Sequence, residues 1–147
     1  MTKVRRVIQI DHSVENLYDL VSDIGRYPDF IKWIKSMRVE PVSTRGAETV
    51  VNGHAQVGFK GFSEPFSTKV VANESDKTIK VSLISGPLQR LANEWRFEPA
   101  PNGSKVHFYV DFEFRNFLLR ALAAANFEIA MNRIMAAFVS EADRRYK

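Results

Sequence analysis

The chain has 147 residues, 45% hydrophobic and 26% charged, a length and balance that fit one domain with a sizeable core and argue against disorder or a coiled coil. It contains no cysteine, which excludes disulfides, cysteine-ligated zinc and thiol nucleophiles, and it fits a reducing compartment. The net charge of +4 suits an anionic membrane surface or an RNA-rich partner, although ordinary solubilising charge is the simpler reading. Phenylalanine is abundant, 11 residues against 2 Trp and 4 Tyr, and so many apolar rings suit either a thick core or an apolar cavity.

Val4, Ile8 and Ile10 share one face of an extended segment, with Arg5, Val7 and Gln9 on the other, which predicts a first strand. This strand-like pattern begins so early that no signal or transit peptide is expected. Ser13 stands as an N-cap before Val14, Leu17, Leu20, Val21 and Ile24 at helical spacing, and Gly25 and Pro28 end that helix. A second helical turn is expected over Asp29 to Ile34. From Met37 the period becomes two. Val51, Ala55, Val57 and Phe59 form one inward set; Phe66, Thr68, Val70 and Ala72 a second; Ile79, Val81 and Leu83 a third. Turn-rich stretches at Ser43 to Gly46, Lys60 to Pro65 and Asn73 to Lys77 separate them. Trp95 and Phe97 continue the alternation. After the turn at Pro101 to Ser104 come Val106, Phe108, Val110, Phe112 and Phe114, alternating with His107, Tyr109, Asp111 and Glu113. One dry face and one wet face indicate antiparallel pairing.

The C-terminal segment is helical by period, with Phe127, Met131, Ile134 and Phe138 in a stripe flanked by Ala130, Met135 and Ala142. Its opening turns, Phe117, Leu118, Leu119, Ala121 and Leu122, are apolar nearly all round. That apolar run contains Arg120 and falls short of the ~20 residues a spanning helix needs, so the chain is not expected to cross a membrane by itself. The expected fold class is α+β, a curved antiparallel sheet of about seven strands around a long C-terminal helix, in one domain over residues 1–147.

No glycine-rich phosphate loop, serine elbow or metal-spaced cluster occurs, and neither catalytic nor metal-binding residues are assigned. His12, His54 and His107 lie on different elements and read as surface residues, because a catalytic histidine needs an orienting partner. Asp111 and Glu113 read as solvent-facing carboxylates paired across strands with Arg96 or Arg115. What remains is the apolar interior. Phe59, Phe62, Phe66, Trp95, Phe112 and Phe114 bunch where sheet and helix would meet, Met131 and Met135 add adaptable thioethers, and Gly86 to Leu91 reads as a portal loop. Close packing of the same side chains is the alternative.

Four segments carry a resemblance: Leu20 to Phe30 with its Tyr27-Pro28-Asp29-Phe30 core; Val57-Gly58-Phe59-Lys60-Gly61-Phe62; Ser85 to Leu91 running into Trp95-Arg96-Phe97-Glu98-Pro99; and Val110 to Asn116. In this order and spacing the chain resembles the coenzyme Q-binding, START-like family of polyketide cyclase-type helix-grip domains. One departure is Lys32-Trp33-Ile34, where the family often carries Pro and Cys.

The resemblance implies a helix-grip fold with an apolar tunnel between sheet and C-terminal helix, and ubiquinone as a non-covalent ligand in support of respiratory electron transport. The site it implies comprises Tyr27, Phe30, Trp33, Phe59, Phe62, Phe66, Leu88, Leu91, Trp95, Phe112, Phe114, Met131 and Met135. Tyr27, Trp33, Gln89 and Asn93 are candidate donors to a quinone ring, and Lys32 and Arg90 a basic rim. A related bacterial branch is described as a toxin that blocks ribosomal subunit association. Ribosome binding is therefore the alternative reading, and a cyclase-like enzyme the second. The expected partners are an isoprenoid quinone and a membrane surface touched transiently, with no DNA. The expected location is cytoplasmic, peripheral at the inner membrane.

Overall fold

The computed structural model describes residues 2–59 and 62–146. Strand β1 (Thr2–Ile10) leads into α1 (Val14–Ser22) and a 3-10 helix (Ile24–Asp29). A meander follows: β2 (Ile34–Arg45), β3 (Glu48–Phe59), β4 (Phe62–Asn73), β5 (Thr78–Ser85), β6 (Leu88–Ala100) and β7 (Gly103–Phe114), closed by helix α2 (Phe117–Arg145). The sheet order is β1-β7-β6-β5-β4-β3-β2, antiparallel throughout, so the first strand pairs with the last and the two crossing helices fill the concave side. The expected fold class stands.

Local chemistry explains the boundaries. The Ser13 hydroxyl accepts from the Asn16 amide and caps α1, whose apolar side, Val14, Leu17, Leu20 and Val21, is buried. A short 3-10 helix then carries Pro28 at its end, earlier in the chain than the helical turn expected over Asp29 to Ile34, where β2 instead begins at Ile34. The expected turn at Lys60 to Pro65 is also shorter than read: β4 runs from Phe62, while Lys60 and Gly61 lie outside the described residues. Gly86 to Leu91 is not a portal loop. Only the tight turn at Gly86 and Pro87 separates β5 from β6, and a register shift between Leu88 and Arg90 marks a bulge in the β6–β7 ladder. Such an extra residue sharpens the local twist and changes which side chains face inward. Leu88 and Leu91 accordingly face the concave side.

Helix α2 runs 29 residues and is long and apolar enough to cross a membrane by length and composition, beyond the short apolar run expected from sequence. Its inward stripe is part of the fold, however. Met131, Met135, Phe138 and Ala142 are buried. Non-helical torsions at Asn126 (φ −119°, ψ 17°) break the helix into two halves. The core sits under the second half. Trp95 packs edge-on against Phe108 (ring centroids 4.8 Å apart) and against Phe138 (5.1 Å), and Phe138 also meets Tyr27 and Phe30 at 5.4 Å each. Aromatic pairs in this geometry contribute beyond their buried area.

Candidate functional site: an apolar trough between sheet and helix

The cross-strand register arranges the concave face in rows. One row joins Arg6, Phe108, Trp95, Ile79 and Ala72; the next joins Val4, Val110, Asn93, Val81 and Val70. Their large apolar members are buried or packed on the core, under α1 and the second half of α2. Nearer α2's start, Phe112 and Leu91 pair across β6–β7, and Thr68 and Leu83 pair across β4–β5; all four are only half-buried. Phe66 and Phe114 are half-buried too, while Leu88 beside Phe114 is buried. Burial thus falls along the concave face from one end to the other. By burial alone, the concave face forms a shallow apolar trough that the second half of α2 covers at the closed end and the first half covers only in part at the other.

Several local devices shape the open end. A Cβ at Gly86, whose φ is +145°, would come 3.0 Å from Phe66 Cδ1 and 3.2 Å from Phe66 Cα, so the β5–β6 turn rests directly on Phe66. The Arg115 amide donates to Pro87 O, and its Nε to Leu88 O, tying the start of α2 to the same turn. Asn116 caps α2, accepting from the amides of Leu118 and Leu119. Phe112 then links Phe114 (5.8 Å) and Phe127 (5.6 Å) into an aromatic rim. At Gly53 a Cβ would meet Ile24 Cδ1 at 2.7 Å and Met37 Sδ at 3.2 Å, so the 3-10 helix packs closely over β3 there and a larger residue would require those side-chain ends to shift.

The candidate residues fall into distinct environments. Trp95, Met131 and Met135 are buried at the closed end, and Tyr27 and Phe30 stand beside them around Phe138. Phe66, Leu88, Leu91, Phe112 and Phe114 come together at the open end. Trp33 is 39% exposed, apart from both groups. The side chains of Phe59 and Phe62 lie outside the described residues. Leu83 and Phe127 join the trough although they were absent from the candidate set; both lie in the inward phase of the sequence pattern, which could have found them.

The proposed ring donors are mostly engaged. The Tyr27 hydroxyl donates to Val21 O, and burial pushes it above its ordinary range. Asn93 donates to Tyr109 O (2.8 Å) and accepts from the Trp95 indole (3.0 Å). Gln89 donates to Glu113 on the convex face.

That convex face also corrects the charge reading. Arg90 is no free rim cation. Through the β6 bulge it sits on Asp111, with Nε at 3.2 Å and the terminal nitrogen at 3.0 Å from Oδ1, and reaches Glu113 at 3.3 Å. Asp111 is 9% exposed and Glu113 half-buried, so these carboxylates are not solvent-facing, and the cross-strand partner is Arg90 rather than Arg96 or Arg115. The hydrogen bond from Gln89 comes first among the effects that hold Glu113 below the usual carboxylate range. Nor are the histidines isolated: His12 lies 2.7 Å from Asp143, His54 2.9 Å from Glu40, and His107 3.7 Å from Glu98. His54 and His107 face away from the trough. Two grooves are formed on this convex face. One, of about 270 Å³, is bordered by Lys69, Lys80, Glu94 and Tyr109; the other, of about 340 Å³, by Arg38, His54, Gln56 and Ser67. Arg5 lies over the Tyr109 ring at 4.6 Å.

Comparison with known proteins gives a consistent picture. Residues 10–139 match the family model described as polyketide cyclase / dehydrase and lipid transport. The chain is similar to the ribosome association toxin RatA of Rickettsia prowazekii, 29% identical over 136 residues covering 90% of each chain. It is also similar to the mitochondrial coenzyme Q-binding protein COQ10 of Drosophila melanogaster, 29% identical over 141 residues, 92% of this chain and 56% of that one. An 18 kDa protein of Caulobacter crescentus, solved in solution, shares 35% identity at a TM-score of 0.81, covering 98% of this chain and 97% of that one. The Zhui aromatase/cyclase of a Streptomyces species has a TM-score of 0.79 over 99% of this chain and 96% of that one, and at 16% identity it shares the fold alone.

Proposed function

We propose that this chain, which belongs to the polyketide cyclase / dehydrase and lipid transport family, holds ubiquinone or a similar isoprenoid lipid in the trough between its sheet and α2 and acts as a carrier or chaperone in respiratory electron transport. The observation that carries the reading is the gradient of burial along the concave face. Phe66, Leu83, Leu91, Phe112 and Phe114 are left half-covered where a fully packed interior would bury them. An apolar tail seated there would complete the burial at about 0.8 kcal/mol per CH₂, without a charged anchor. The coenzyme Q-binding relatives support the choice of ligand. With Tyr27, Asn93 and Gln89 already bonded, affinity would come from the tail more than the ring. No catalytic residue is assigned: the Arg90–Asp111–Glu113 and His54–Glu40 groups face away from the trough, which favours binding over acid–base chemistry there. The test is mass spectrometry of organic extracts from protein purified under mild conditions. A co-purifying quinone is expected; protein repeatedly free of any isoprenoid lipid overturns the reading.

A second reading, ribosome association, is favoured by the RatA relatives together with the basic groove at Lys69, Lys80 and Tyr109. It would act through salt-dependent contacts of the convex face with RNA phosphates. Sedimentation of ribosomal subunits with and without the protein tests it, the expected result being impaired joining that added salt relieves.

A further inference from the structure

The first half of α2 is apolar on two opposite sides. Leu119, Ala123 and Phe127 turn toward the sheet and are half-buried, whereas Leu118, Leu122, Ala125 and Ile129, spaced four, three and four residues apart, are exposed on the opposite side. Phe117 is 75% exposed, Leu118 69%, Leu122 59% and Ile129 55%. Scattered exposed apolar residues are ordinary, but a helical stripe of them beginning beside a rim of phenylalanines is not. Among the described residues nothing covers it. Lys60 and Gly61, at the β3–β4 turn, lie outside the described residues.

We propose that this stripe is a membrane-docking surface which lays the first half of α2 flat in the interface of an anionic bilayer. Charge selects that occupant. Arg115 and Arg133 stand exposed at the two ends of the stripe, whereas Arg120 turns away from it, its guanidinium on Phe114 O and 3.9 Å from Glu113. The one carboxylate from Arg115 to Arg133, Glu128, is paired with Arg6 of β1. A second copy of the chain packed antiparallel on the stripe would bring Arg115 against Arg133 of its mate, like charge on like. Anionic headgroups meet both arginines favourably, while their aliphatic stems lie along the apolar surface. The geometry is that of a helix lying on a membrane and not of one spanning it, because the inward side of α2 is committed to the sheet. From Leu118 to Ile129 the helix presents about 17 Å of apolar contact, a length set by its rise per residue. The surface begins where Arg115 ties α2 to the β5–β6 turn, beside the open end of the trough, so docking would point that opening at the bilayer.

The inference does not require that the trough hold a quinone, and its test is separable from that reading. Flotation with vesicles of phosphatidylcholine alone and of phosphatidylcholine mixed with phosphatidylglycerol measures it directly. The wild-type chain should float with the anionic vesicles, less with the neutral ones, and less as salt is raised. The double variant Leu118→Glu/Leu122→Glu changes only exposed positions. It should lose at least about tenfold in vesicle partitioning while keeping wild-type circular dichroism and lipid content. Wild-type protein that stays unbound with anionic vesicles overturns the proposal, as does a folded double variant that floats like wild type. A concentration-dependent dimer in gel filtration, abolished by the same two substitutions, would overturn it in favour of self-association.

Discussion

Placing a carboxylate at Leu91 separates the two functional readings. Leu91 lies on the concave face opposite Phe112 and is half-buried. In the empty protein an aspartate there can reach water through the open side, so Leu91→Asp should cost only about 1–2 kcal/mol, the share of a leucine's burial lost. With an apolar tail in place the carboxylate would be desolvated and unpaired, which is far costlier. Excluding a single five-carbon isoprene unit from the trough forfeits about 4 kcal/mol at ~0.8 kcal/mol per CH₂, a loss of about a thousandfold in affinity. The matched control is Lys80→Glu on the convex face, exposed and bordering the basic groove. Quinone content per protein in organic extracts, with quenching of tryptophan fluorescence by a short-chain quinone, reads out both. Leu91→Asp should be empty and folded, while Lys80→Glu keeps its lipid. If Leu91→Asp folds with wild-type circular dichroism and retains wild-type quinone, the trough is not the binding site. If Lys80→Glu instead abolishes ribosomal subunit interference at unchanged stability, the second reading gains.

Phe138→Ala should destabilise by about 4 kcal/mol, lowering Tm by roughly 10 °C, since it empties the space among Tyr27, Phe30 and Trp95; a loss under about 1 kcal/mol in thermal unfolding would contradict the packing described. Glu141, 5% exposed and bonded first to Arg144 and then to Arg145, has its carboxyl lowered to about 2. A depressed folded-state value means stability that is present above the ordinary carboxylate range and lost as pH falls toward 2; after solvent screening around Arg144, Glu141→Gln should cost about 1 kcal/mol at neutral pH and flatten the acid limb of a stability–pH curve. Arg90→Glu should lower Tm clearly while Lys35→Glu does not, because the first sets three carboxylates together at Asp111 and Glu113, whereas Lys35 is exposed and donates to Lys32 O.

Much of this architecture follows from patterns that need no partner to be read. Alternation at β3, β4, β5 and β7, the Ser13 cap and the stripe from Phe127 to Phe138 are local consequences of periods two and 3.6, and each element lies where its pattern places it except at the start of β4, which reaches back to Phe62. The convex-face cluster was not legible. The bulge between Leu88 and Arg90 adds a residue to one strand only, and no periodicity in β6 announces which neighbour absorbs it; without it Arg90 looks like a loop charge and Asp111 like a surface carboxylate. The same holds for the trough. Inward phase marks Phe66, Leu91, Phe112 and Phe114 as apolar-facing, yet whether they are covered depends on how far α2 reaches and where Asn126 breaks it. The two apolar sides of Phe117 to Ile129 are visible in sequence, but which side packs is decided by the tether from Arg115 to the β5–β6 turn, a contact between segments 27 residues apart. Side-chain phase is local because it is written into backbone geometry. Coverage is not, because it depends on which distant surface arrives to exclude the water.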